Sequence, residues 1–137
     1  MNIYNHTRKL FNNSEVSVGT LKAMLTSGYV FAATETAMTA ATAAEVSGFG
    51  WTAGGEAIAS AAVTIDATNG MKLDGSDISV TATGGDIGPA DGLVVYDATG
   101  GEPLFHFAFP AAQTAGDGTP FLVTWNASGI YTSGDPA

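Results

Sequence analysis

Leu93-Val-Val-Tyr-Asp-Ala-Thr-Gly-Gly-Glu-Pro-Leu-Phe-His-Phe-Ala-Phe-Pro110, a loop, and then Pro120-Phe-Leu-Val-Thr-Trp-Asn-Ala-Ser-Gly-Ile-Tyr-Thr132 decide the fold of this chain. Leu93 to Tyr96 is an apolar run, and Asp97 to Pro103 is a reversal rich in glycine. In the next strand Phe105, Phe107 and Phe109 share one face, opposite Leu104, His106 and Ala108. In the one after, Phe121, Val123 and Trp125 oppose Leu122 and Thr124. A period of two, punctuated by Gly, Asp, Asn and Pro, is the pattern of antiparallel strands in a meander or sandwich. Side chains large enough to build a core are denser in this stretch than in the rest of the chain.

The rest of the chain is poor in such residues. Of its 137 residues 23 are Ala, whereas Leu, Ile, Val and Phe together number 29, and only 12% are charged. Average soluble domains carry roughly 25% charged residues, so ion-pair networks do not hold this fold. A core this thin implies that association, with copies of itself or with a larger surface, supplies part of the stability. Residues 1–22 carry Arg8, Lys9 and Lys22 against Glu15, a net of +2, and the remainder nets −11. The acidic body repels phosphate backbones and makes nucleic acid an unsuitable partner. The basic start suits an acidic protein surface, or is a chance grouping of three cations. Without cysteine, thiolate chemistry, disulfides and Cys-type metal sites are excluded. No apolar run is long enough to span a membrane, and Met1 to Lys9 lacks the apolar core of a signal peptide. The expectation is a chain made and used without Sec export.

Along the sequence, Tyr4 to Asn12 has helical spacing for one or two turns, and Val16 to Ser27 reads as a strand with Leu21, Ala23 and Leu25 on one face. Tyr29 to Ala44 is rich in Ala and Thr. Thr42-Ala-Ala-Glu45 has capping-box form for a short helix stopping at Ser47-Gly48, with an exposed loop as the alternative. Gly48-Phe-Gly-Trp-Thr-Ala-Gly-Gly55 is a tight turn, and short strands follow at Ala57–Ile65, Met71–Leu73 and Ile78–Ala82. Turn signals every ~8–12 residues predict an all-β fold. The specific expectation is a single antiparallel β-sandwich over 1–137, jelly-roll or Ig-like, with at most one or two short helices and 1–14 as a docking segment.

Chemistry is sparse. His106 lies mid-strand between Phe105 and Phe107, and neither it nor His6 sits in a nucleophile pattern, so catalysis has no support. Asp66, Asp74, Asp77, Asp86, Asp91 and Asp97 fall in turns, where carboxylates either gather round a cation or cap local backbone. Asp74-Gly-Ser-Asp77 lacks a full EF-hand ligand series, and the capping reading is preferred. Gly48 to Gly55 has no phosphate-loop lysine; its glycines suit positive φ or a close backbone approach. Phe49 and Trp51 offer a sugar platform or a plug for a neighbouring subunit, or else close the local core. Asn5-His-Thr, Asn12-Asn-Ser and Asn126-Ala-Ser match the glycosylation pattern, but Asn126-Ala-Ser-Gly reads better as a turn.

Four segments in order carry a family resemblance: Tyr4 with Lys9-Leu-Phe-Asn12, Glu45-Val-Ser-Gly-Phe-Gly-Trp-Thr-Ala-Gly-Gly55, Leu93-Val-Val-Tyr-Asp-Ala98, and Thr124-Trp-Asn-Ala-Ser-Gly-Ile130. The set resembles a family of small virion structural proteins of tailed bacteriophages, with head-decoration or cement proteins among them. Ala32–Ala44 and the loop Ala111–Thr119 depart from that pattern. The resemblance implies a non-enzymatic structural protein, without cofactor or metal, assembled in the host bacterial cytoplasm and placed on the outer capsid surface. There it would bind the major capsid protein and copies of itself, as a homotrimer, and stabilise capsomer junctions without touching nucleic acid or membrane. Tyr4, Arg8, Lys9 and Phe11, with Phe49 and Trp51, are the expected contact residues. A tail or baseplate component and a carbohydrate-binding adhesion module using Trp51 are the alternatives.

Overall fold

The computed structural model describes residues 1–65 and 70–133. Among these residues the fold is all-β and antiparallel, with two short α-helices and a 3-10 turn at Val18–Thr20. In chain order the elements are β1 (Asn2–Ile3), α1 (Thr7–Asn12), β2 (Leu21–Thr26), α2 (Thr39–Ala43), β3 (Glu45–Val46), β4 (Glu56–Ala57) and β5 (Ala62–Ile65). Then come β6 (Met71–Asp74), β7 (Ile78–Thr81), β8 (Ile87–Asp97), β9 (Glu102–Ala115), β10 (Pro120–Val123) and β11 (Tyr131–Ser133). The large sheet runs β1-β9-β8-β2-β3, with β4 also on β2; β10 pairs β7, and a third sheet runs β11-β6-β5.

The opening stretch builds the centre of the large sheet. Ala23 pairs with Val95 and Leu25 with Leu93, and Val95 and Leu93 pair with Phe105 and Phe107 across the hairpin. Successive side chains alternate between faces, so Leu21, Ala23, Leu25, Leu93, Val95 and Phe105 all face one way. They share one buried core with Leu73, Ile78, Phe121, Val123 and Tyr131 from the two small sheets and with Ile130 just before β11. The opposite face of β2 is buried as well, because Met24 and Val94 pack with Ala41 of α2 in a second cluster covered by Tyr29 and Met38. The Ala/Thr-rich stretch is therefore a lid over the large sheet.

Several boundaries differ from expectation, each for a local reason. Tyr4 does not begin the helix: Asn2 and Ile3 pair in extended form with His106 and Phe105, and α1 starts only at Thr7. The strand expected from Val16 begins at Leu21, because Asp97 accepts bonds from Ser17 N (2.9 Å) and Thr20 Oγ1 (2.9 Å) and turns the chain at that corner. Thr42 lies in the last turn of α2 rather than at its start, and Glu45 opens β3. Ala57–Ile65 is split by a turn in which Ser60 has φ 55°. Ala111–Thr119 is not a plain loop: β9 continues to Ala115, pairing Gln113 with Ala90 and Ala115 with Ile87 beyond a register shift. Backbone pairing and the burial of Ile87, Ala90 and Ala115 in the core carry that extension, and the small side chains of Ala111–Ala115 give little sign of it in the sequence.

Candidate interaction surface

Residues 1–14, expected to dock, are built into the sandwich. Tyr4 is buried, its ring sits edge-on to Phe31 at 4.7 Å, and its hydroxyl lies 2.5 Å from that of Tyr29. The Tyr29 hydroxyl donates to Glu35 Oε2 at 2.7 Å. Burial, with a smaller contribution from the Glu35 charge, pushes the Tyr4 phenol up to about 12; Tyr29 rises too, chiefly through burial. Thr7 Oγ1 donates to Leu104 O at 2.8 Å and His6 Nε2 lies 2.7 Å from Pro103 O, which fastens α1 to the start of β9. Phe11 is half-buried, with its ring centroid 6.1 Å from Phe105 and 6.0 Å from Tyr131. Tyr4 and Phe11 thus pack inside the chain, and Arg8 and Lys9 are the residues of this group left exposed.

The glycine-rich turn separates its two aromatics. Trp51, for which the sequence offered either a surface contact or closure of the local core, does the second: it is 1% exposed and meets Phe121 edge-on at 5.5 Å. This corrects its assignment as a contact residue and removes the sugar platform built on it. Paired bonds between Gly48 and Trp51 backbones (2.9 and 3.1 Å) close the turn and point the indole inward. Phe49, in contrast, is 52% exposed. Gly50 and Gly55 both have positive φ, and a Cβ would fall 2.8 Å from Thr81 O and 2.5 Å from Ala23 O. Close approach requires glycine at both positions, as the sequence suggested.

The turn aspartates within the described residues cap backbone. Asp77 accepts from Trp125 N (2.9 Å), Asp86 from Asp117 N (3.1 Å), Asp91 from Gly28 N (3.0 Å) and Asp74 from Gly75 N (2.9 Å). Asp66 lies outside the described residues. Among them, no group of three or more His, Asp or Glu side chains is placed to hold a metal ion. His106 is buried on the lid side of the large sheet, stacked 5.7 Å from Phe31 and edge-on to Tyr29 at 5.3 Å. Asn2 Nδ2 donates to its Nδ1 at 3.3 Å, and burial holds its pKa below the usual imidazole value.

A further concavity lies elsewhere, on residues whose sequence pattern reads as core strand or loop. An open groove of about 1070 Å³ runs between the outer half of β9, β10 and β11, and none of its lining side chains is charged. It opens because β1 pairs only with Phe105 and His106, so β9 has no outer neighbour from Phe107 onward among the described strands. Phe107, Phe109 and Leu122 line it, with Trp125 5.7 Å from Phe107. The Trp125 indole N–H is spent on Ser76 O at 3.0 Å, which turns the polar edge of the ring away from solvent. Leu122 is 62% exposed at the rim. Only Phe105 of the three alternating phenylalanines is fully core; Phe107 and Phe109 are partly open. One signal was present: after Phe109, Pro110-Ala-Ala-Gln-Thr offers nothing large enough to cover them. Comparison with protein-family models, curated proteins and solved structures returned no match.

Proposed function

We propose that this chain is a structural subunit of a tailed-phage virion, a head-decoration or cement protein on the outer capsid surface that works by docking rather than by chemistry. The observation that carries the docking role is the uncharged, aromatic-lined groove left open along β9, β10 and β11. Removing the apolar part of such a surface from water favours association by about 25 cal/mol per Å², and aromatic side chains set among uncharged polar ones, here Gln113, Thr114, Thr124 and Asn126, are the composition of protein contacts. The virion post itself comes from the resemblance of the four sequence segments. In this reading the major capsid protein and further copies of the chain are the partners. The exposed pair Arg8 and Lys9 on α1 faces the capsid, and Phe49 is a second contact.

Quantifying the chain in purified particles tests the reading. The expected result is a copy number comparable to that of the major capsid protein; absence from particles overturns it, and a copy number matching tail parts transfers the chain to the tail or baseplate. Reversing charge in Arg8→Glu/Lys9→Glu is expected to weaken binding to capsids at least tenfold, or about 1.4 kcal/mol. Unchanged binding removes α1 from the contact.

A further inference from the structure

We propose that copies of this chain join head to tail, the exposed outer strand β5 of one copy, which has no strand beyond it and only the turn Val18–Thr20 beside it, seating in the β9–β10–β11 groove of the next. The inference rests on the assembly reading above and adds the surface that performs it. In the third sheet β6 is central, so β5 and β11 are its two outer strands. β11 supplies Tyr131 and Thr132 to the groove wall, while β5 is exposed at all four residues. One sheet thus offers a receptor edge on one side and a donor strand on the other, about 10 Å apart at normal strand spacing.

Side chains match this division. Val63 pairs with Leu73 and Ile65 with Met71, so the row that begins in the core at Leu73 runs out of it at β5, where Ile65 is 83% exposed. Among the described residues six large apolar side chains are exposed; Val63 and Ile65 belong to β5, and Met1 and Leu122 to the groove. Ala62-Val63-Thr64-Ile65 carries no charge, no proline and no bulge, the devices by which edge strands ordinarily avoid pairing. Charge also selects the partner. Each copy carries a formal net charge of −9, and an uncharged strand entering an uncharged groove is the approach that places no like charges face to face.

Such a contact is heterologous: donor and receptor differ, so it closes into a ring when the rotation permits, a trimer among the options, and otherwise propagates. A four-residue strand covers little beside the roughly 800 Å² per partner of a standard interface. A single contact is therefore weak, and multiplicity on a shared surface supplies the rest.

Sedimentation velocity on purified protein decides the matter, using Ile65→Asp, Leu122→Asp and, as a control on another exposed apolar residue, Val30→Asp, which is 82% exposed in the native chain. Circular dichroism confirms that each variant is folded. The expected result is concentration-dependent association of the native chain and of Val30→Asp, with at least a tenfold loss in either groove or strand variant. A mixture of Ile65→Asp and Leu122→Asp is expected to form one-to-one pairs and nothing larger, since one member keeps the groove and the other keeps the strand. If the native chain associates and both variants match it, or if their mixture stays monomeric, this surface is wrong while the assembly reading stands. If the native chain is monomeric at every concentration, the head-to-tail contact falls. The assembly reading then falls too if the chain also fails to bind capsids.

Discussion

At the scale of single residues, Trp51 and Phe49 stand two positions apart and have opposite roles. Trp51→Ala empties a buried site against Phe121 and is expected to lower the unfolding free energy by about 3–5 kcal/mol, measured by denaturant titration. Phe49→Ala removes an exposed ring and is expected to stay within about 1 kcal/mol. His106 makes a second residue-level prediction. Burial lowers its pKa from 6.5, Asp91 opposes that shift, and the amino terminus reinforces it; Glu35 reaches the same lid through Tyr29. The folded state therefore keeps the imidazole neutral at pH values where the unfolded chain already binds a proton. Stability from this group is present above pH 6.5, and is lost as pH falls from there toward the lower folded pKa. In His106→Phe that loss is absent, so the melting-temperature gap between native chain and variant is expected to shift in favour of the variant between about pH 8 and pH 5. A constant gap would show that the imidazole does not titrate differently on folding.

The elements show which features local sequence reveals. Gly55 lets β4 lie against β2, since a Cβ there would meet Ala23 O at 2.5 Å with φ at +98°. Gly55→Ala is expected to cost more than about 3 kcal/mol, whereas Gly28→Ala, with φ +73° and nothing within 4 Å, is expected to cost about 1–2 kcal/mol; thermal melts of the two variants compare them. Strands marked by a continuous apolar run, such as Leu93–Tyr96, or by alternation, such as Phe121–Val123, were legible because both are local properties. The extension of β9 to Ala115 and the pairing of Asn2 with His106 were not, because both depend on which backbone lies alongside. The same limit hid the groove. Phe107 and Phe109 have the spacing of core residues, yet they lie where β1 has ended and where the β8–β9 register shifts between Ala108 and Gln113, and they stay partly open. Two of the expected contact residues show the converse limit: Tyr4 and Trp51 lie in polar or glycine-rich surroundings along the chain but pack inside in space.

For the whole molecule, a thin core, few charges and an uncharged groove fit a subunit whose stability and role both lie in its contacts. The sheet layers turn their apolar faces to one core, and the leftover apolar surface is concentrated at the two ends of a donor–receptor pair. Electrostatics separates this arrangement from docking through Arg8 and Lys9. Copies with a formal net charge of −9 repel one another, and salt screens that repulsion over a Debye length of about 10 Å at 0.1 M, while apolar burial needs no charge. The most direct measurement is the association constant of the purified chain by sedimentation velocity across a salt series. Docking through the uncharged groove predicts association that strengthens as salt is added. Association that weakens with salt, or its absence at every salt concentration, would contradict it.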